Sequence, residues 1–392
     1  MTAFEEFGLS KELLTAIKKL GFVEPTEVQI LSIPHILAGE DVLAESATGS
    51  GKTLAFGCGI IDRVVERQGL QALILTPTRE LAEQVKDSLI GFLDKRPLRI
   101  ISVYGGVSFD QQVRALTKAE VVVATPGRFL DHLNRRTIKV SNIRYLVIDE
   151  ADRMFDMGFI DDVEKIIKVC PNNRQTMLFS ATLSSEIKRL AHRYMREPRE
   201  VSAVSQVDPS KLKQEYYNVP HNLKLSLLVH FLKYEKTGLV MVFCNTRKTT
   251  DFVVKNLSTN GIRVMAIHGG LSQNKRTNTL SSFNQARTNI LVCTDVAARG
   301  LHIDNVTHIY NYEIPRDPIN YVHRIGRTAR AGKEGKAINF LSNYDHDSFS
   351  KILREYREFS IEKMSLPQIA TVEVVRESFR PQRREAPRYR RR

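Results

Sequence analysis

"LVIDEADRMFDMGF", residues 146–159, decides how this sequence is read. Leu146, Val147 and Ile148 are consecutive apolar strand-formers, the mark of a strand buried on both faces. Three carboxylates follow at once, Asp149, Glu150 and Asp152, and charge beside a buried strand is costly unless something positive meets it. A helix N-terminus is one such partner, since acids in the first turn complement the macrodipole. A bound cation is the other. The stretch alone leaves both open.

Working outward, short β-rich runs recur on either side: "VLA" at 42, "ALILT" at 72, "RIISVY" at 99, "VVVAT" at 121 and "TMLFSAT" at 176. Helical patterns such as "RELAEQVKDSLIGFL" fill the gaps between them. Strands alternating with helices predict a parallel sheet covered on both faces. The rhythm lapses at "VSAVSQVDPSKLK", residues 201–213, which is polar and keeps neither period. It resumes with "GLVMVFC" at 238, "VMAIHG" at 264, "NILVCTD" at 289, "HIYNY" at 308 and "AINFLS" at 337. Two α/β domains of similar size are expected, at 1–203 and 213–365, joined by a linker at 204–212 and followed by a tail at 366–392.

The 392 residues carry a formal net charge of +14, which points to a polyanionic partner. Residues 376–392 hold eight Arg against two Glu, so six of the fourteen charges lie there. With two prolines as well, that end is expected to be disordered. Cys58, Cys170, Cys244 and Cys293 show no paired or metal-ligand spacing, as expected of reduced thiols in a reducing compartment. The N-terminus lacks the pattern of a signal peptide, and no apolar run is long enough to span a membrane. A cytoplasmic protein is expected.

The cation question gains a second stretch in "SATGSGKT", residues 46–53, between the strand "DVLAE" and a helical pattern. Gly49 and Gly51 let backbone N–H groups turn inward around phosphates. Lys52 can reach the β/γ oxygens, and the Thr53 hydroxyl can ligate Mg²⁺. Ser46 stands where the usual loop pattern begins with Gly. In a fold built on such a loop, a second strand ending in Asp brings its carboxylate beside the Thr that holds the metal. Asp149 then meets Mg²⁺ through water, and Glu150 is placed to orient or deprotonate the water attacking the γ-phosphate.

These motifs together resemble the DEAD-box RNA helicases, named for the tetrad found here as Asp149-Glu150-Ala151-Asp152. The resemblance runs from residue 4 to about 345 and implies two RecA-like domains. "GFVEPTEVQ" (21–29), with Phe4 seventeen residues before Gly21, resembles the family's adenine-reading segment. By that resemblance Gln29 bonds the adenine edge, Phe22 packs on its face, and Ser46, Ala47, Thr48, Gly49, Ser50, Gly51, Lys52 and Thr53 hold the phosphates. "PTRELA" (77–82), "GG" (105–106) and "TPGR" (125–128) resemble RNA-backbone contacts, which implicates Arg79, Gly105, Gly106, Thr125 and Arg128. "SAT" (180–182) resembles the segment coupling nucleotide state to strand separation, through Ser180 and Thr182. In the second domain, "VFCNTR" (242–247), "HGGLSQNKR" (268–276) and "TDVAARGLHI" (294–303) imply RNA contacts by Arg247, Gly269, Gln273, Arg276 and Thr294. "HRIGRTARAG" (323–332) implies catalytic roles for His323, Arg327 and Arg330. Arginine is always charged and forks onto phosphate oxygens, as phosphoryl transfer requires. Two positions depart from the family pattern: His302 replaces the Asp expected to meet the ATP ribose, and Glu313 replaces Asp in "YEIP".

The resemblance implies a monomer that uses ATP and Mg²⁺ and binds RNA through phosphate and 2′-OH groups, with little sequence preference. An ATP-gated RNA clamp would use the same residues and separate few strands. A translocating DNA helicase on the same fold is the other alternative, and comparing RNA with DNA as ATPase stimulator decides against one of them.

Deleting 376–392 should spare turnover at saturating RNA and flatten the log–log salt dependence of RNA binding by about 1.4–2.8, at about 0.7 for each phosphate no longer neutralised. An unchanged slope would mean that the arginines touch no RNA. His302→Asp should tighten apparent ATP binding at saturating RNA by about five- to thirty-fold, or about 1–2 kcal/mol. Measured from pH 6 to 8, identical constants and identical pH profiles for the two forms would show that residue 302 does not touch the nucleotide.

Overall fold

The structure is a computed structural model that describes residues 3–46, 49–203, 211–298, 303, 306–329, 334–357 and 359–375. Ala47, Thr48, His302 and Arg330 among the expected site residues, most of the linker and the arginine-rich end lie outside this set.

The first sheet contains β1 (Val42–Ser46), β2 (Ala72–Leu75), β3 (Ile100–Val103), β4 (Val121–Ala124), β5 (Tyr145–Asp149), β6 (Gln175–Ser180) and β7 (Arg199–Ala203). All pair in parallel, in the order β3-β4-β2-β5-β6-β1-β7. The second contains β8 (Leu212–Asn218), β9 (Leu239–Cys244), β10 (Met265–Ile267), β11 (Ile290–Thr294), β12 (Val306–Asn311), β13 (Gly335–Leu341) and β14 (Ile361–Met364). Its order, β10-β11-β9-β12-β13-β8-β14, is that of the first sheet with each strand advanced by seven, again all parallel. The chain therefore holds the same topology twice.

Alternation along each strand feeds two cores, one on either face. Ala72, Ile74 and Val147 join one; Leu73, Leu75, Leu146 and Ile148 join the other. That is why the central strands read as unbroken apolar runs. Three strands escape the sequence pattern: β7 and β14 at the sheet edges, and β8 beside β14. Edge strands bury only part of their residues, and "REVSA" and "IEKM" are polar accordingly. Nor does the chain leave the second domain at 365. Ile369 and Val372 pack on its core, Val372 N donates to Ser226 Oγ at 3.2 Å, and Val375 N donates to Asn256 Oδ1 at 2.7 Å.

Parallel pairing sends every carboxyl end to one edge of its sheet. In the first domain that edge divides cleanly. β1, β5 and β6 end in the phosphate loop, the carboxylates and "SAT", while β2, β3 and β4 end in the segments of Arg79, Gly105 and Thr125.

Candidate nucleotide and RNA site

Gly51 adopts φ +95° and caps the helix Lys52–Arg63. A Cβ there would run into the Gln29 amide and the Thr26 hydroxyl, so the loop needs glycine for shape and for clearance. Thr26 Oγ1 donates to Ser50 O at 2.7 Å and Gln29 Nε2 to Gly51 O at 3.0 Å, while Gln29 Oε1 accepts from Thr26 N at 2.9 Å. The residue expected to read adenine thus also ties its own segment to the phosphate loop. An amide has two donors and two acceptor sites, so those two bonds leave one of each for a ligand. Phe22 is 39% exposed and edge-on to Phe92. Lys52 is buried, and its Nζ donates to Ser46 O at 3.2 Å. Thr53 stands half-buried on the helix's first turn.

The opening carboxylates sit at the end of β5 and the start of the helix Ala151–Asp156, with Asp149, Glu150 and Asp152 only 3%, 3% and 6% exposed. Burial pushes the Asp149 carboxyl above its usual range, opposed by Lys52 and then Arg153; Asp152 shifts the same way, with Lys52 opposing. Asp149 Oδ1 has no hydrogen-bond partner among the described residues. Glu150 holds the left-handed conformation at φ +54°, and Arg153 Nη1 donates to its carboxylate. Ser180, at the end of β6, accepts from Asp152 N at 3.2 Å and so fixes "SAT" to the tetrad; Thr182 is half-buried nearby in sequence.

The second domain meets this edge. His323 Nε2 lies 3.9 Å from Asp152 Oδ2, and Arg276 Nη2 lies 3.2 Å from Glu80 Oε1. Arg327 is buried just past the helix Pro318–Ile325. Arg324, which the sequence motif alone does not single out, commits its whole guanidinium within the second domain. Its Nε and Nη2 clasp Asp295 at 2.6 and 2.7 Å. Nη1 donates to Asn311 Oδ1 at 3.0 Å and Glu313 O at 2.6 Å, and Nη2 also donates to Asn245 Oδ1 at 2.8 Å. One guanidinium thus joins the segments after β9, β11 and β12. Glu313 has bonds of its own, accepting from Asn245 N at 2.7 Å and from Thr249 Oγ1 at 3.2 Å.

The RNA candidates fall into two matching sets. Arg79 opens the helix Arg79–Gly91 behind the N-cap Thr78, and Arg247 opens Arg247–Thr259 behind the N-cap Thr246. Arg79 lies against Gly105 and Gly106, where a side chain at 106 would collide with it; Gly106 also needs φ +90°. Arg247 lies against Gly269 in the same way, with a would-be Cβ 3.0 Å from its Nη2. Arg128 grips the first glycine loop, donating from Nε to Tyr104 O at 3.2 Å and from Nη2 to Val107 O at 2.7 Å. In the second domain His268 takes that task, with Nδ1 accepting from Gly270 N at 3.1 Å and Nε2 paired with Asp251 at 2.9 Å. Thr125 caps the helix Pro126–Asn134, Gln273 opens Gln273–Asn284, and Thr294 is buried at the end of β11.

Comparison with known proteins shows the family and the fold. Residues 26–190 match the family described as DEAD/DEAH box helicase, and 223–332 match the helicase conserved C-terminal domain. The DEAD-box ATP-dependent RNA helicase CshA of Bacillus cereus is 41% identical over 370 residues, which is 94% of this chain and 70% of that one. The Saccharomyces cerevisiae protein Dbp5 bound to RNA and ADP BeF3 is 28% identical and superposes with a TM-score of 0.84, covering 93% of this chain and 96% of that one. A Dbp5 variant bound to nup159, gle1, ip6 and adp, 27% identical with 92% and 96% covered, reaches only 0.66. The domain arrangement here is therefore closer to the first of those two structures.

Arg324→Lys should destabilise the second domain by about 3 kcal/mol, because an ammonium cannot reproduce the fork and leaves Asp295 and the buried Asn311 poorly met. Denaturant unfolding without ligands checks this. An unchanged midpoint would mean that the five bonds contribute nothing net.

Proposed function

The chain belongs to the DEAD-box family of helicases, and we propose that it is an ATP-dependent RNA helicase that binds one RNA strand across both domains, parts short duplexes locally and hydrolyses ATP to release the strand. The observation that carries this reading is the meeting of the two carboxyl-end edges, with His323 near Asp152 and Arg276 paired to Glu80. ATP on the 46–53 loop would then face Arg327 and Arg330. An RNA strand on Arg79, Gly105, Gly106, Thr125 and Arg128 would continue onto Arg247, Gly269, Gln273, Arg276 and Thr294.

Gln29 uses its remaining donor and acceptor on the adenine edge, with Phe22 against the ring. Lys52 leaves the Ser46 carbonyl for the β/γ oxygens, to which it is far better matched. Thr53 and Asp149 fit a Mg²⁺ ion, since Asp149 brings a buried carboxylate oxygen with no hydrogen-bond partner among the described residues. When bound, that ion neutralises charge on the β- and γ-phosphates. Glu150 orients the attacking water and takes its proton. Arg327 and Arg330 stabilise charge on the transferring phosphoryl group, a contribution of about 10³–10⁵ for such arginines. Ser180, bonded to the tetrad, and Thr182 relay the state of that site to the RNA face.

ATP and RNA each favour the closed arrangement, so each favours the other, and linkage makes the coupling reciprocal. Contacts to phosphate and 2′-OH bend one strand out of A-form register without reading bases. The protein works as a monomer in the cytoplasm; no helix among the described residues is long and apolar enough to cross a membrane.

ATPase activity should be low alone and rise steeply with RNA. Glu150→Gln should retain ATP and RNA binding and lose turnover by about 10²–10⁴, the usual contribution of a positioned base. Steady-state hydrolysis near the parent rate would remove Glu150 from the role of base.

A further inference from the structure

Arg153 is a cation to which the hydrolytic mechanism assigns no task. It lies three residues beyond Glu150 on the helix Ala151–Asp156, is only 2% exposed, and donates from Nη1 to Glu150 Oε2. A long cation is almost never buried so fully without a partner that needs it. Its partner stands at φ +54°, a conformation that is costly for a non-glycine residue and persists only where the surroundings fix it. That turn aims the Glu150 side chain away from the path a regular strand would give it.

The pair lies wholly within the first domain. Its formation needs no residue of the second domain, whereas His323 and Arg327 belong to that domain. The bond fixes one carboxylate oxygen, and with it the plane in which the other lies. A general base must hold its oxygen within about 2.6–3.2 Å of the water it serves, so a restrained carboxylate gains over a freely rotating one.

We propose that Arg153 is a positioning residue for hydrolysis, holding the Glu150 carboxylate in one orientation so that the water is aligned as soon as the second domain docks. The inference rests on Glu150 being the base. The competing account is a purely structural ion pair. Removing one partner would then cost stability and leave turnover of the folded protein unchanged.

The experiment compares Arg153→Met, Arg153→Lys and Glu150→Gln with the parent in steady-state ATPase at saturating RNA, with unfolding curves and RNA binding for each. Arg153→Met should lower kcat by about ten- to a hundredfold, within the range a positioned base contributes, while ATP KM and RNA affinity stay within about twofold. Arg153→Lys, which keeps a cation in reach, should recover much of the loss. A folded Arg153→Met protein with kcat within about twofold of the parent, or faster, overturns the proposal, as does a loss carried by KM instead of kcat. If the methionine variant does not fold, Arg153→Gln keeps a donor without the charge and is read by the same criteria. The two readings fail separately. Glu150→Gln turning over near the parent rate rejects the base itself, whereas a dead Glu150→Gln beside a fast Arg153→Met rejects only the positioning role.

Discussion

Parallel pairing is the constraint on which everything else depends. In each sheet all seven strands run the same way, so every strand delivers its last residue to one edge. Open α/β sheets bind ligands at that edge because loop backbone and helix N-termini face it together. Here the strand order sorts the chemistry further. β5, β6 and β1 lie side by side, so Asp149, Ser180 and the phosphate loop become neighbours although about 130 residues separate their ends in sequence. The bond from Asp152 N to Ser180 Oγ is possible only because β5 and β6 are adjacent. The same order places Arg79 and the Gly105–Gly106 loop on the other half of the edge.

Within that frame the arginines divide the work by how their donors are used. Arg324 gives all five of its donors to its own domain, and a guanidinium has no more to give. Its task is to make three loops one rigid body. Arg128 likewise gives donors to the carbonyls of Tyr104 and Val107 and so shapes the loop that Arg79 rests on. Arg276 crosses to Glu80 in the other domain. Arg128 and Arg276 therefore do structural work within the protein besides their proposed place on the RNA face, whereas Arg324 has no donor left for a ligand.

How much of this was legible follows from which physics acts locally. Central strands were read because burial on both faces imposes unbroken apolar runs. "REVSA" and "IEKM" were not, because an edge strand has no such requirement. The helix start at Thr78 shows in "PTRELA" as a capping residue, since an N-cap acts within three residues. The second engagements were illegible: Gln29 on Gly51, Arg128 on the 104–107 loop, Arg324 on three loops. These bonds span 22 residues in the first case and up to 79 in the last, and nothing in residue spacing records them. Glu313 in place of Asp is a mild change on paper. Its longer side chain accepts from Asn245 N and Thr249 Oγ1 together, a reach that only the fold reveals.

The closed arrangement is also informative about energy. The two named cross-domain pairs are polar: His323 with Asp152, and Arg276 with Glu80. Pairs of this kind contribute about 0–1 kcal/mol where water reaches them, and buried ones give back in desolvation much of what they gain. These two pairs add little to closure by themselves. Moving an equilibrium from mostly open to mostly closed takes about 5.5 kcal/mol of differential binding, which has to come from ligands that touch both domains. In the proposed mechanism, a nucleotide held by the 46–53 loop and by Arg327, and an RNA strand lying on Arg79 and Arg247, would each supply part of it. Removing the γ-phosphate would then take away the first part. On that mechanism, polar cross-domain pairs such as these let hydrolysis release the RNA, because they add little to hold the domains together.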